Sequence, residues 1–304
     1  MDIPLFDGHC DTLSWLLAHP GQHLTEAGGQ WELEKTERFA PRAQIFAAYA
    51  DSALPGAAAS AAAQIALLRR ECRRFSDRIT FCTTGQDAEA AARQGKLAAF
   101  LSVEGGELLG CSVERLDWAW RQGVRMVNLT WNHANALSGS HCEEPERGLS
   151  GPGKTFVREM RRRGMLVDVS HLSEAGFWDV MELGACPVIA SHSNSRSVFF
   201  HSRSLTDAQF TAIMEYHGVV GLNAYSVFYV RKTGGRNPAT CCGIWNTSLL
   251  WAEMKLLLWA ETGMAAIDCP RAGQVSGTGP ISMNCCCGAI TLSHCCAAFF
   301  ITTS

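Results

Sequence analysis

Short apolar runs recur along residues 1–230 and alternate with longer segments of helical periodicity. Six of the runs are continuously hydrophobic rather than alternating, as expected for parallel strands that are covered on both faces. These predicted strands span residues 3–7, 97–103, 125–129, 165–169, 187–190 and 218–224. The pattern predicts a sheet that is largely parallel.

Helical segments lie between the predicted strands. They span residues 57–76, 153–163, 173–183 and 206–216. Ser173 and Thr206 stand at the start of two of them, where a hydroxyl can cap the first turn. An alternation of strand and helix at roughly 20–30 residues is typical of a parallel α/β fold. Six strands with chain left over favour a (β/α)8 barrel of the TIM type over an open sheet.

Polar residues with metal-binding side chains follow several of the predicted strands. His9 and Asp11 come after the first strand, and residues i and i+2 of an extended chain point to the same side. Glu104 ends the second strand before two glycines, and His171 and His192 follow two later strands. In a parallel barrel the carboxyl ends of the strands form one rim, which is where active sites are built.

This set of side chains indicates metal-assisted hydrolysis. Imidazoles combined with carboxylates suit Zn²⁺ or a similar divalent ion, and a carboxylate can bridge two ions. Two bridged ions can hold a hydroxide at neutral pH and polarise a carbonyl group. A single histidine at a strand end is more commonly a hydrogen-bonded structural residue. The joint occurrence of these residues at several strand ends therefore carries the prediction.

Five segments carry a more specific resemblance. DGHCDTLSW, SVEGGELL, GMLVDVSHLSE, PVIASHSNSRSV and SRSLTD resemble, in order and spacing, the motifs of the renal (membrane) dipeptidase family. The resemblance spans roughly residues 1–230 and implies a (β/α)8 barrel of the amidohydrolase type with two zinc ions. It implies that His9 and Asp11 bind the first zinc ion and that Glu104 bridges both. His171 and His192 would then bind the second ion.

The resemblance also implies how a dipeptide substrate is held. In the family, an arginine shortly after the second-zinc histidines grips the terminal carboxylate, and Arg203 occupies that position, with Arg196 as a nearby alternative. Many members have a histidine directly after Leu-Thr that contacts the scissile region, but Trp131 stands there. His133, two residues later, is predicted to take that role. A metal-bridged hydroxide would attack the peptide carbonyl.

The chain changes character near residue 231. Beyond it the strand–helix alternation stops, and eight of the 14 cysteines fall within residues 231–304. Their clusters lack the C-x2-C spacing of a tetrahedral zinc site. The family's proton-shuttling aspartate lies in a G-[GS]-D-[FW]-D-G motif after the last barrel strand. Neither that motif nor a further strand is predicted in this tail.

We interpret the tail as the product of a shifted reading frame. Read two nucleotides later, its codons can encode a peptide that contains GGDWDG, with the aspartate codon shared between those of Glu261 and Thr262. We therefore predict a dipeptidase barrel portion over residues 1–230 and an aberrant cysteine-rich tail over residues 231–304. A barrel without its native closing strands exposes two sheet edges, so we expect poor folding and little activity.

Charge and hydrophobicity limit the expected binding partners of the protein and its expected location in the cell. The net charge of −3 gives no electrostatic basis for binding nucleic acid or an anionic membrane. The first residues show no signal-peptide pattern, and no stretch of about 20 apolar residues predicts a transmembrane helix. We expect a cytoplasmic enzyme that acts on dipeptides. A homodimer is a further expectation, since dimers are common in the family that the chain resembles.

Other interpretations stay open. A different amidohydrolase, such as a deacetylase or a cyclic-amide hydrolase, usually has HxH rather than His9-x-Asp11 on the first strand. Such enzymes often also have a carboxylated lysine, and no lysine stands at a predicted strand end. A metal-binding remnant or partner protein without turnover is favoured by the missing aspartate. A redox role for the cysteine-rich tail is the remaining alternative.

Overall fold

The computed structural model describes residues 4–25, 28–184, 188–223 and 225, together with the backbone of residues 257–260. The strands are Leu5–Cys10 (β1), Arg42–Tyr49 (β2), Ile79–Phe81 (β3), Leu97–Glu104 (β4), Val124–Asn128 (β5), Leu166–Asp168 (β6), Val188–Ala190 (β7), Val219–Asn223 (β8) and Leu257–Ala260 (β9). The helices are Thr12–Ala18 (α1), Leu33–Thr36 (α2), Ala57–Arg74 (α3), Gly85–Arg93 (α4), Val113–Arg121 (α5), Gly151–Arg162 (α6), Glu174–Glu182 (α7) and Asp207–Glu215 (α8).

The strands form a nearly closed parallel barrel. Their order around the sheet is β1-β2-β4-β5-β6-β7-β8-β9, and every pair along this path is parallel. The short β3 pairs with the beginning of β4, before β4 meets β5. β9 lies close to β1, but no strand ladder joins the two among the described residues. The predicted α/β barrel, incomplete at its carboxyl-terminal strands, is confirmed.

Three strands were not predicted. In β2, the buried polar side chains of Arg42 and Gln44 interrupt the apolar run that marks the other strands. Gln44 donates to the carbonyl of Ile45 at 2.9 Å, which explains how it is accommodated. β3 is only three residues long. The expectation of no strand after residue 230 is wrong, because β9 pairs with β8 where the tail carries a short apolar run.

Side-chain alternation along the strands directs polar groups into the mouth of the barrel. Phe100 belongs to an inner cluster to which most strands contribute one or two side chains, from Phe6 on β1 to Val219 on β8. Leu101 and Val103 belong instead to the outer cluster beneath the helices. Because residues two apart share a face, Glu104 points to the same side as Phe100. The apolar inner cluster thus lies below a polar rim.

Hydroxyl caps begin the helices that follow the later strands. Ser173 accepts a hydrogen bond from the backbone N–H of Gly176 at 2.9 Å, and Thr206 accepts one from Gln209 at 3.2 Å. Both caps satisfy backbone donors that the first helical turn leaves free. None of the helices in the described residues has the length and apolar character needed to cross a membrane.

Candidate metal centre

The polar residues predicted from the strand ends come together at one rim of the barrel. His9 lies near the end of β1, and Glu104 is the last residue of β4. His171 and His192 follow β6 and β7. The four side chains are buried, whereas Asp11, just after β1, is partly exposed. Parallel strand order alone brings these residues together from positions far apart in the sequence.

The carboxylate of Glu104 stands between two groups of side chains. Its Oε1 lies 3.0 Å from Nε2 of His171 and 3.4 Å from Nε2 of His192. Its Oε2 lies 3.5 Å from Nε2 of His9, which in turn lies 3.4 Å from Oδ1 of Asp11. Each carboxylate oxygen of Glu104 therefore faces a different set of nitrogen and oxygen atoms.

Burial and mutual charge shift the ionisation of this cluster. Burial raises the pKa of Glu104 to about 8, although the nearby His9 opposes the shift. Burial would lower the pKa of His9, but Glu104 and Asp11 outweigh it and raise that pKa to about 9. Burial and the positive charge of Arg203 hold the pKa values of His171 and His192 well below the usual range. The last two imidazoles are neutral at pH 7, which is the form that binds metal ions.

The donor atoms fit a divalent cation better than they fit one another. Neither ring nitrogen of His9 makes a hydrogen bond within the described part of the chain. The Nε2 atoms of His171 and His192 lie only 3.0 Å apart. One ligand atom each from His9, Glu104 and His192 fall within 4.8 Å of one another. Buried polar atoms ordinarily have partners, and a cation between these groups would satisfy them together.

The backbone and a neighbouring amide aim His171 into the cluster. His171 has a φ of 70°, a left-handed conformation that is uncommon for residues other than glycine and recurs at functional sites. Its Nδ1 lies 2.9 Å from Oδ1 of Asn132. An Nδ1–H donated to this oxygen leaves Nε2 with its lone pair directed at Glu104.

Arg203 is a buried cation with hydrogen-bonding capacity to spare. Its side chain is 6% exposed. It donates from Nη1 to Ser193 at 3.1 Å and from Nη2 to the His192 carbonyl at 3.2 Å. Burial lowers the Arg203 pKa to about 10, while the negative charge of Glu104 raises it. Within the described residues no carboxylate forms an ion pair with it, whereas Arg196 pairs with Glu174 at 2.9 Å.

His133 lies apart from the cluster. Its ring is 36% exposed, with Nδ1 2.9 Å from Oε1 of Glu143 and Nε2 3.5 Å from Oδ1 of Asp51. It is not among the residues that line the cleft in front of the cluster, whereas Trp131 is. The structure therefore does not bring His133 to the other predicted site residues.

His141 also lines this cleft, although its place at the site was not predicted from the sequence. Its Nε2 lies 3.0 Å from Oδ1 of Asn132, and its backbone N–H donates to the His171 carbonyl at 2.9 Å. Burial and the charge of Arg203 lower its pKa to about 3, so the ring is neutral. His141 lies in a loop outside every strand-end motif, and no local signal marks it.

The cleft has a volume of about 1000 Å³ and an aromatic wall. Trp15, Tyr49 and Trp131 contribute to this wall, and Arg203 lies at the cleft together with the candidate metal-binding side chains. Tyr49 and Trp131 pack with their ring centroids 5.0 Å apart. An apolar cleft with a few convergent polar groups is the usual form of a small-substrate site.

The barrel and the set of imidazoles and carboxylates at its rim are features of metal-dependent hydrolases. A sequence model of the membrane dipeptidase family, peptidase family M19, matches residues 1–248. The chain belongs to this family. An uncharacterized protein in the PQQ-III 3′ region of Acinetobacter calcoaceticus is 30% identical over 269 residues, which cover 78% of this chain and 85% of that protein.

Two solved structures share the fold. A crystal structure of dipeptidase AC, a metallopeptidase of family M19, aligns with a TM-score of 0.76 and 26% identity, over 86% of this chain and 85% of its own. A metallopeptidase from Rhodobacter sphaeroides, liganded with a phosphinate mimic of the dipeptide L-Ala-D-Ala, aligns with a TM-score of 0.75 and 25% identity, over 86% of both chains.

The placement of His133 yields a titration prediction. Its hydrogen bond to Glu143 raises the pKa of His133 above the ordinary 6.5, although partial burial opposes the shift. The pair therefore stabilises the fold below the unfolded-state pKa, and this contribution is lost as the pH rises through the folded-state value. We expect Glu143→Gln to lower the His133 pKa in an NMR titration. Glu144→Gln, a neighbour paired with Arg147, should leave it unchanged; equal values in both variants would contradict this account.

Proposed function

We propose that this chain carries the site of a zinc-dependent dipeptidase that holds two ions. His9 and Asp11 would bind the first ion, His171 and His192 the second, and Glu104 would bridge them. The observation that supports this most directly is the placement of Glu104, whose two oxygens face different sets of ligands. Membership of the membrane dipeptidase family makes a dipeptide the expected substrate.

The side chains of this chain have separable tasks in that reaction. Bound zinc ions would supply an activated water and an electrophile for the peptide carbonyl. Arg203 would bind the terminal carboxylate with the N–H groups that Ser193 and the His192 carbonyl leave free. Its fixed place beside the metal ligands would limit substrates to those that end one residue after the cleaved bond. Trp131 and Tyr49 would exclude water from one side of the cleft.

We further propose that turnover is weak in the chain as written. The residues proposed as metal ligands belong to the described barrel, but the family's proton-shuttling aspartate has no counterpart in the sequence after residue 230. Under the proposed frame shift, the aspartate codon would span the codons of residues 261 and 262, which lie outside the described residues. A chain that binds metal without turnover is therefore the second candidate. A cytoplasmic location and a homodimer remain predictions from the sequence.

Restoring the reading frame tests the proposed activity. We expect a gene corrected near codons 231–236 to yield a protein that hydrolyses L-Ala-L-Ala or L-Ala-D-Ala, because the aspartate and the closing strands would return. The chelator-treated protein should lose this activity and regain it with Zn²⁺. Product release would be measured for both chains side by side. Full activity in the sequence-verified chain as written would refute the loss of turnover, and chelator-resistant hydrolysis would refute the metal site.

The role of Arg203 makes a separate prediction. Arg203→Lys keeps the charge but loses the planar pair of donors, so we expect kcat/KM for a dipeptide to fall roughly 10- to 100-fold in the frame-corrected protein. The parent should strongly prefer a dipeptide over its carboxamide, and the variant should lose most of that preference. Arg196→Lys, at the neighbouring arginine that is paired with Glu174, is the matched control. An unchanged preference in Arg203→Lys would exclude the assigned role.

A further inference from the structure

A chain of hydrogen bonds leads from the end of β6 to the imidazole of His192. Asp168 is the last residue of β6, and Ser191 directly follows β7. The Ser191 hydroxyl donates to Oδ2 of Asp168. Oγ of Ser191 also lies 2.7 Å from Nδ1 of His192. Asp168 and Ser191 have no exposed surface, and His192 is 2% exposed, so these bonds are shielded from bulk water.

The proton positions along these hydrogen bonds follow from the number of donors available. A serine hydroxyl has one proton, and here it is given to Asp168. Oγ of Ser191 can then only accept from His192, so Nδ1 of that ring carries its proton. Nε2 keeps the lone pair and faces Glu104 at 3.4 Å and His171 at 3.0 Å. The hydrogen bonds from Asp168 through Ser191 to His192, called the relay below, thus select the His192 tautomer that can bind a metal ion at Nε2.

The backbone holds the far end of the relay in place. Oδ1 of Asp168 accepts from the backbone N–H groups of Ser170 at 2.9 Å and Ser191 at 3.1 Å. The backbone N–H of His192 donates to the Ser170 hydroxyl at 3.2 Å. These bonds tie the ends of β6 and β7 together whether or not Ser191 bonds to the imidazole. The contact between Ser191 and His192 is therefore not needed to hold the ends of β6 and β7 together.

The three imidazoles of the cluster differ in the hydrogen-bond partner of their Nδ1 atoms. His192 is connected to a carboxylate through Ser191, whereas His171 is held by the neutral amide of Asn132. Nδ1 of His9 has no hydrogen-bond partner in the described part of the chain. A carboxylate behind a ligating imidazole fixes its orientation and makes it a stronger ligand.

We propose that Ser191 and Asp168 are positioning residues that fix the tautomer and orientation of His192 for metal binding. This proposal rests on the proposed function, in which His192 is a zinc ligand. It predicts that breaking the relay weakens zinc binding by roughly 10- to 100-fold, the usual effect of losing such an outer partner. Ser191→Ala breaks it with the least damage, since the backbone bonds to Asp168 remain.

The test compares two buried serine truncations in the full chain. Ser102→Ala is the matched control, because Ser102 is equally buried but donates to the Phe46 carbonyl at 3.3 Å. Zinc affinity would be measured by competition with a chromophoric chelator, in the chain as written and in the frame-corrected chain. The ¹⁵N shifts of His192 in the metal-free parent report its tautomer, and that measurement requires no substitution.

The expected results are an Nδ1–H tautomer in the parent and zinc binding weakened at least tenfold in Ser191→Ala but not in Ser102→Ala. Equal affinity in parent and Ser191→Ala, or an equal loss in both variants, would overturn the positioning role. So would an Nε2–H tautomer in the metal-free parent. A parent that binds no zinc would overturn the proposed function and this proposal with it, whereas the other outcomes leave the proposed function standing.

Discussion

A buried carboxylate surrounded by imidazoles is the constraint around which this rim is built. Glu104 is 3% exposed and has three histidine nitrogens within 3.5 Å. Removing a carboxylate from water costs free energy unless it is paired or coordinates a metal ion. The protein meets this cost only in part, since burial raises the pKa of Glu104 to about 8 and that of His9 also rises, to about 9. A divalent cation on each side of Glu104 would remove the conflict by supplying positive charge where the side chains supply electron pairs.

The barrel determines how securely each half of this cluster is held. Glu104, His171 and His192 lie on or just after strands with a partner on both sides. His9 belongs to β1, which pairs with β2 on one side and, among the described residues, has no strand ladder on the other. The half of the site that contains His9 therefore depends most on the strands that close the barrel. A shifted reading frame in the tail would damage this half first and leave the His171–His192 half largely intact.

Much of this architecture could be predicted from the sequence because the determinants are local. Continuous apolar runs marked six strands, and Ser173 and Thr206 marked two helix starts. β2 was missed because buried Gln44 takes its partners from the backbone, which a hydrophobicity pattern does not record. The place of His141 at the site could not be predicted, because it depends on a loop contact with Asn132. The predicted role of His133 failed to account for a second loop contact, with Glu143, which holds that ring at the surface. No sequence motif links the residues of either contact. The link from Asp168 through Ser191 to His192 joins residues from two strand ends that are 23 positions apart in the sequence, so no local sequence pattern marks it.

The proposed bridging role of Glu104 can be tested by counting the bound metal ions. The frame-corrected protein would be purified, stripped with chelator, reloaded with Zn²⁺, dialysed and analysed for bound zinc, with Glu104→Gln treated in parallel. We expect two zinc ions per parent chain and a clear loss in the variant, because the amide oxygen cannot supply the bridging charge. A parent that retains no zinc, or a variant that retains two ions with unchanged affinity, would exclude a bridging role for Glu104.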